Sequence, residues 1–147
     1  MRVFPDTNVL ASAAATRGLC ADVLREVFAS HELLTSAQVL RELRRVLRSK
    51  FDVDQDLVDD FISLMRQDSV LARPGEPPGV EIQDQDDGPI LSAAISAGAD
   101  AFVTGDKELL AIGRIEKLAI LSPRQFWEKL KSQPRGGTER GKSRRAR

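Results

Sequence analysis

The sequence predicts an α/β fold, a three-layer sandwich in which a central, mostly parallel sheet is flanked by helices. Short apolar segments alternate along the chain with segments whose apolar residues recur at helical spacing. Strands that alternate with helices favour parallel pairing, with helices covering both faces of the sheet. With 147 residues, 41% of them hydrophobic, the chain can bury the core of one domain, and it contains no internal repeats.

The first half of the chain predicts two strands and three helices. A strand at 2–5 is followed by a helix over 19–29, where the apolar residues keep helical spacing. A strand at 32–36 ends in Ser36, which is a suitable N-cap for the helix "SAQVLRELRRVLRSKF". One face of that helix is an apolar stripe, and the opposite face carries arginines. The stripe of the next helix consists of Leu57, Val58, Phe61, Ile62 and Met65.

The second half of the chain alternates in the same way after a surface loop. Residues 73–79, "RPGEPPG", are assigned to that loop by their Pro and Gly content. Gly98 is a suitable C-cap for the small-residue helix that follows, and Pro123 opens the last helix. The predicted elements are a helix at 90–99, a strand at 100–104, a helix at 107–112, a strand at 117–121 and a helix at 123–131.

Cysteine content and charge narrow the setting of the protein. Cys20 is the only cysteine, so no internal disulfide can form and a cytoplasmic location is expected. No apolar run approaches the roughly 20 residues of a membrane span, and no association with a membrane is expected. The net charge of zero divides into −5 over residues 1–132 and +5 over 133–147. We therefore expect a folded domain at 1–132 and a flexible basic tail at 133–147, which either contacts nucleic acid or serves only solubility.

Four acids fall where a parallel sheet binds ligands. Asp6 ends the first strand within "VFPDTNVLAS", and Asp106 follows the strand that ends in "AFVTG". Glu42 lies at the margin of the apolar stripe of its helix, and Asp87 opens the helix "GPILSAA". Because ligands bind beyond the carboxyl ends of parallel strands, these four side chains could converge on one pocket.

Converging carboxylates repel one another, and a bound cation would offset that repulsion. Mg²⁺ or Mn²⁺ prefers carboxylate and water oxygens. His31 and Cys20 are the only histidine and cysteine in the chain. Zinc sites are usually built from several such residues, so a zinc site is not expected.

Each acid also has a purely structural interpretation. Asp6 and Asp106 could each cap the helix that follows. Glu42 could be a solvated helix residue paired with Arg45. The three aspartates of "DQDD" could stabilise the N-terminus of their helix through its dipole. Taken singly, these alternatives stay open.

The chain resembles the PIN-domain nucleases, and most closely the VapC-like branch that provides the toxins of toxin–antitoxin systems. The resemblance runs from Met1 to about Lys131. It rests on "DTNVLASA", "TSAQVLRELRRVL", "DQDDGPILSAAISAGADAFVTGDKELL" and "ILSPRQFWEKL", of which the first and third are specific in combination. Pro5, Gln85 and Gly88 depart from the family pattern. Gly88 stands where an acid often appears, but none of the three departures removes one of the four acids named above.

The resemblance implies which residues carry the chemistry. The catalytic residues, which are also the implied metal ligands, are Asp6, Glu42, Asp87 and Asp106. The implied supporting residues are Thr7, Asn8, Ser36 and Thr104. The implied activity is that of a Mg²⁺- or Mn²⁺-dependent endoribonuclease, a hydrolase that cleaves phosphodiester bonds of RNA. The implied partners are an RNA substrate and a cognate antitoxin protein, and homodimers are frequent among relatives.

RNA is a polyanion, so an acidic pocket needs positive charge nearby to attract it. One candidate for RNA binding is the arginine face of the helix that carries Glu42, and the basic tail is another. The arginines are Arg41, Arg44, Arg45 and Arg48. Their structural alternative is an ordinary solvated helix surface.

Two other functions fit parts of the same pattern. An aspartate-dependent phosphatase also has an aspartate after its first strand, but it would need a second acid two residues later, where Asn8 stands. A catalytically weak PIN-fold module that binds RNA or protein could dispense with the acids, whereas this chain keeps all four.

Overall fold

The computed structural model describes residues 1–133, and the predicted basic tail from residue 134 onward lies outside them. The described part contains six strands and seven helices. The strands are β1 (Arg2–Pro5), β2 (Glu32–Ser36), β3 (Val70–Ala72), β4 (Ala101–Val103), β5 (Arg114–Ile115) and β6 (Leu118–Leu121). The helices are α1 (Thr7–Ala15), α2 (Leu19–Ser30), α3 (Ala37–Ser49), α4 (Gln55–Asp68), α5 (Asp87–Ser96), α6 (Lys107–Ile112) and α7 (Pro123–Lys131).

The strands form one sheet in the order β3-β2-β1-β4-β6-β5. All neighbouring strands are parallel except β5 and β6, which are antiparallel. Helix α1 packs against α2 and α3, α3 packs against α4, and α7 packs against α2, while α5 contacts β2 and β3. The predicted α/β sandwich with a mostly parallel sheet is therefore confirmed.

The strand order places a topological switch point between β1 and β4. From β1 the chain runs outward through β2 and β3, and it then crosses back to β4 on the other side of β1. At such a point the connections leave neighbouring strands in opposite directions and open a crevice beyond the carboxyl ends of the strands. Asp6 directly follows β1 and Asp106 follows β4, so both acids lie at this crevice.

Two stacked aromatic rings hold the strands beneath the crevice. Phe4 of β1 and Phe102 of β4 are fully buried, and their ring centroids lie 5.6 Å apart with an interplanar angle of 25°. Such a pair contributes about 0.5–1.5 kcal/mol beyond the burial of its area. The packing fixes the strand ends that carry Asp6 and Thr104.

Pro5, the last residue of β1, is buried although it has no N–H to donate. In a parallel strand, consecutive residues form hydrogen bonds with opposite neighbours. The backbone N–H of Asp6 donates to the carbonyl of Val103 on β4 at 2.8 Å, so the nitrogen of Pro5 faces β2. The paired residues of β1 and β2 end at Val3 and Leu33. Pro5 therefore removes no donor that the sheet uses.

The predicted helix boundaries agree with the structure where the capping residues are distinctive. Ser36 caps α3 by accepting a hydrogen bond from the N–H of Val39. Gly98 follows the end of α5 with a φ of +73°, a left-handed conformation that favours glycine. Helix α7 begins at Pro123, and Ser122 and Gln125 form a capping box there.

The structure also corrects the sequence analysis. The sequence predicts no strand at β3 or β5 and no bounds for α1, because α1 is alanine-rich without a clear apolar stripe and the two strands span only three and two residues. Leu57 belongs to the apolar stripe that predicts α4, but it is 60% exposed. Among the described residues, no helix is both long and apolar enough to cross a membrane.

Candidate active site

Four elements bring the predicted acids to one end of the sheet. Asp6 occupies the N-cap position of α1 directly after β1, and Asp106 occupies the N-cap position of α6 after β4. Glu42 lies in the second turn of α3, and Asp87 is the first residue of α5. All four side chains are partly buried rather than solvated. The four acids therefore lie close enough for their charges to influence one another.

Two threonine side chains, both almost fully buried, connect the acids to one another. The hydroxyl of Thr104 donates to Oδ2 of Asp6 at 2.8 Å and accepts a bond from the backbone N–H of Asp106 at 3.0 Å. The backbone N–H of Thr7 donates to Oδ1 of Asp6 at 2.8 Å, and its hydroxyl donates to Oε1 of Glu42 at 3.0 Å. Both oxygens of Asp6 thus have a donor, and each threonine links Asp6 to a second acid.

Glu42 and Asp106 are each held by further hydrogen bonds. The side-chain amide of Gln38, one turn earlier on α3, donates to Oε2 of Glu42 at 3.1 Å and to the backbone carbonyl of Asp86 at 2.9 Å. Oδ1 of Asp106 accepts from the backbone N–H groups of Glu108 and Leu109, so the predicted capping alternative for Asp106 is observed. Gln38 is a residue that the sequence analysis missed, although its spacing of four residues from Glu42 could have identified it.

The supporting roles implied for Asn8 and Ser36 have no counterpart in the contacts of the described residues. Asn8 is exposed, and Ser36 uses its hydroxyl oxygen to cap α3. No hydrogen bond joins either side chain to the four acids within residues 1–133. The structure therefore brings Thr7 and Thr104 to the acids, and not Asn8 or Ser36.

The acids interact electrostatically as one cluster. Burial raises the pKa of Asp6 above its usual value of 3.8, the hydrogen bonds from the two threonines lower it, and the charges of Glu42 and Asp106 raise it again. Burial and the charges of Asp6, Asp84, Asp106 and Glu42 raise the pKa of Asp87 to about 7. Two carboxyl groups of the cluster thus resist ionisation in the protein alone.

The ligand atoms that this cluster offers are of the type that a hard divalent cation prefers. It offers only carboxylate oxygens, and none of the four acids forms an ion pair with a lysine or arginine within residues 1–133. As the side chains stand, that part of the chain contains no group of three or more His, Cys, Asp or Glu placed to hold a metal ion. Asp106 directs Oδ1 toward the first turn of α6, so a metal ion would compete with two backbone N–H donors for that oxygen.

The arginines of α3 divide into two pairs. Arg44 forms a salt bridge with Asp59 of α4, and Arg48 donates to the backbone carbonyl of Val53. Arg41 and Arg45 are exposed and form no hydrogen bond or ion pair with another described residue. They line a groove of about 520 Å³ whose other lining residues are Gln38, Glu42, Asp86 and Pro89. Glu42 belongs both to this groove and to the acidic cluster.

The raised pKa of Asp87 predicts a gain in stability when its charge is removed. Asp87 ionises near 3.8 when the chain is unfolded and near 7 when it is folded. Between these values the folded state binds more protons, so the free energy of unfolding falls as the pH rises from about 4 to about 7. After the reduction that solvent screening requires, Asp87→Asn should raise the free energy of unfolding at pH 8 by on the order of 1 kcal/mol.

Thermal melts of metal-free protein at pH 5 and pH 8 test this expectation. The wild type should lose more stability between the two pH values than Asp87→Asn does. Asp60→Asn, which removes an exposed acid on α4, should melt like the wild type. An equal pH dependence in Asp87→Asn and the wild type would contradict the assignment of a raised pKa to Asp87.

The comparisons with known proteins agree with this architecture. A family model described as PIN domain matches residues 2–108. The structure is similar to a chain in the crystal structure of VapBC2 from Rickettsia felis bound to a DNA fragment from their promoter. The two chains are 19% identical, with a TM-score of 0.60, and the match covers 83% of this chain and 98% of that chain. At this identity the likeness shows the fold alone. No curated protein matches the sequence.

The fold and the site together indicate the class of protein. This is a mostly parallel α/β sandwich that gathers acidic side chains at its topological switch point. The family match covers well over half of the chain, from the first residue of β1 to the first turn of α6. The chain therefore belongs to the PIN-domain family.

Proposed function

We propose that this protein is a divalent-metal-dependent endoribonuclease, a hydrolase that cleaves phosphodiester bonds of RNA. The observation that carries the proposal is the acidic cluster at the switch point, in which burial and the neighbouring charges raise the pKa of Asp87 to about 7. A carboxylate cluster of this kind lowers the stability of the metal-free protein, and a bound cation would recover that loss. Membership of the PIN-domain family, whose nucleases the sequence resembles, supports the same activity.

The residues that would hold Mg²⁺ or Mn²⁺ are Asp6, Glu42, Asp87 and Asp106. A divalent ion bound there supplies Lewis acidity to a water molecule and neutralises charge on the phosphate. The chain's own contribution is orientation. Thr104 and Thr7 hold the two oxygens of Asp6 by hydrogen bonds, and Thr7 fixes one oxygen of Glu42. Gln38 fixes the other oxygen of Glu42 and ties α3 to the segment that leads into α5.

We also propose that the protein is the toxin of a toxin–antitoxin pair, acting in the cytoplasm on RNA. The likeness of its fold to a chain of VapBC2 supports this role, as does the sequence resemblance to VapC-like toxins. An antitoxin protein is the expected partner, and a homodimer is the expected assembly. Co-expression with the product of a small adjacent gene, followed by purification through a tag on that product alone, tests the partnership. Failure of this chain to co-purify would oppose it.

The proposed activity predicts that metal removal abolishes RNA cleavage. Purified protein incubated with a single-stranded RNA in Mg²⁺ or Mn²⁺ should yield fragments that carry 5′-phosphates. Excess EDTA should stop the reaction, and restoring either metal after dialysis should restart it. Gel analysis of a labelled RNA provides the measurement.

The same experiment distinguishes the alternatives. Cleavage that persists in EDTA would overturn the metal-dependent mechanism. Hydrolysis of a small phosphomonoester without cleavage of RNA would favour the phosphatase. Binding of RNA without cleavage under any metal would favour the catalytically weak PIN-fold module, a result consistent with the turned position of Asp106.

A further inference from the structure

The groove beside the acidic cluster has a positive wall on one helix. Gln38, Arg41, Glu42 and Arg45 follow the i, i+3, i+4, i+7 spacing that places side chains on one face of α3, and all four line the groove. The facing wall consists of Asp86, one residue before α5, and Pro89 within it. Arg41 and Arg45 are the only basic residues that line this groove in the described part of the chain.

Arg41 and Arg45 differ from the other two arginines of α3 because they form no hydrogen bond with another described residue. Arg44 and Arg48 already donate to Asp59 and to the carbonyl of Val53, which attaches α3 to α4 and to the connection between them. Arg41 and Arg45 donate to no described residue, so their guanidinium groups are available to an external acceptor. A guanidinium offers a planar array of donors that matches a phosphate group.

The negative charge around the groove bears on how a polyanionic substrate could reach the acidic cluster. Residues 1–132 carry a net charge of −5, and the groove itself contains Glu42 and Asp86. A polyanionic substrate approaching the acidic cluster is repelled unless positive charge lies beside its path. Because Glu42 is shared by the cluster and the groove, a strand lying in the groove would lead directly to the cluster.

We propose that Arg41 and Arg45 bind backbone phosphates of the RNA strand that leads into the active site, whereas Arg44 and Arg48 have a structural role. This inference rests on the proposed function for the identity of the strand. It divides the arginine face of α3 into a binding pair and a structural pair. The contact is to the phosphate backbone, so it positions the strand and carries no base specificity.

Equilibrium binding of RNA without metal tests whether the arginines of α3 form a binding pair and a structural pair. A fluorescently labelled single-stranded RNA of uniform sequence is titrated with protein in EDTA, so that no cleavage is needed, at several salt concentrations. The double variant Arg41→Ala/Arg45→Ala should bind about tenfold more weakly at low salt. The slope of log K against log salt should fall by about 1.4, since each lost phosphate contact accounts for about 0.7 on a single strand.

The matched control is Arg44→Ala/Arg48→Ala, which removes the same charge from the same helix. It should change affinity less than about twofold and leave the salt slope intact, while it lowers the melting temperature slightly through loss of the contact with α4. The conservative variant Arg41→Lys/Arg45→Lys should recover much of the affinity, because lysine retains the charge without the planar array of donors. Equal losses in the two alanine pairs, or no loss in either, would overturn the inference.

Cleavage kinetics separate this inference from the proposed function. Arg41→Ala/Arg45→Ala should raise KM in the presence of metal with little change in kcat, because the lost contact lies outside the reacting phosphate. If the wild type cleaves RNA but both alanine pairs behave alike, the function stands and the groove assignment fails. If RNA binds through Arg41 and Arg45 but no metal supports cleavage, the proposed activity fails and the binding groove stands.

Discussion

Asp6→Asn is expected to reduce metal-dependent RNA cleavage by about 10³-fold, equivalent to about 4 kcal/mol of transition-state stabilisation. Asp6 has the most central position in the cluster, since Thr7 joins it to Glu42 and Thr104 joins it to the backbone of Asp106. Asparagine has the same shape, and the hydroxyl of Thr104 can rotate to accept from its amide. The fold should therefore persist while the charge that would hold a cation is lost.

A second measurement on Asp6→Asn does not depend on activity. Among the neighbouring charges, that of Asp6 has the largest effect on the pKa of Asp87. Its removal should therefore lower the pKa of Asp87 below about 7. Carboxyl NMR of metal-free protein measures this shift. Asp60→Asn, the exposed-acid control, should leave both cleavage and the pKa of Asp87 unchanged. Full activity in Asp6→Asn would exclude the cluster as the catalytic site.

Thr104→Val is expected to affect both stability and activity. Thr104 is fully buried, and its hydroxyl is at once a donor to Asp6 and an acceptor for the N–H of Asp106. Valine keeps the shape and leaves both groups without that partner, which should lower the free energy of unfolding by about 2 kcal/mol. Loss of an orienting hydrogen bond should also lower kcat about 10- to 100-fold.

The pH profile of Thr104→Val adds a third readout. The hydrogen bond from Thr104 lowers the pKa of Asp6, so its removal should raise that pKa further. Because the ionised carboxylate is the form that holds a cation, the rise of activity with pH should move to higher pH. Cleavage assays across a pH series at saturating Mg²⁺ provide the measurement. A lower kcat with an unmoved profile would indicate a structural role alone.

Thr35→Val is the matched control for Thr104→Val. Thr35 lies in β2, is also fully buried, and its hydroxyl has no hydrogen-bond partner within residues 1–133. Replacement by valine therefore removes a buried polar group that satisfies nothing, and it should raise the free energy of unfolding by about 1 kcal/mol. Opposite signs in the two threonine variants would separate the effect of the lost hydrogen bonds from that of the substitution itself.

Periodicity and turn chemistry were sufficient to predict most of the architecture. The central strands are buried on both faces and read as short apolar runs, and long helices such as α3 show one apolar stripe. Short or weakly patterned elements could not be predicted in this way, because prediction depends on a periodic pattern of apolar residues. The sequence of α1 lacks contrast between its faces, and β3 has only one buried residue, so neither gives a periodic signal.

Three of the acids could be predicted from the sequence because each follows a strand end or opens a helix, whereas Glu42 was indicated by its place at the margin of an apolar stripe. Topology then requires Asp6 and Asp106 to lie at one edge of the sheet. The surroundings of the acids could not be predicted, since the hydrogen bond from Thr104 to Asp6 joins residues 98 positions apart. The sequence determined by itself the fold class, because local spacing encodes the alternation of strands and helices, and its motifs pointed to the four acids as the proposed site. Only the tertiary structure decided which threonines hold the carboxylates, that Asp106 turns toward its own helix, and which arginines are committed to α4. These are decided by contacts between segments distant in the chain, and no local pattern specifies them.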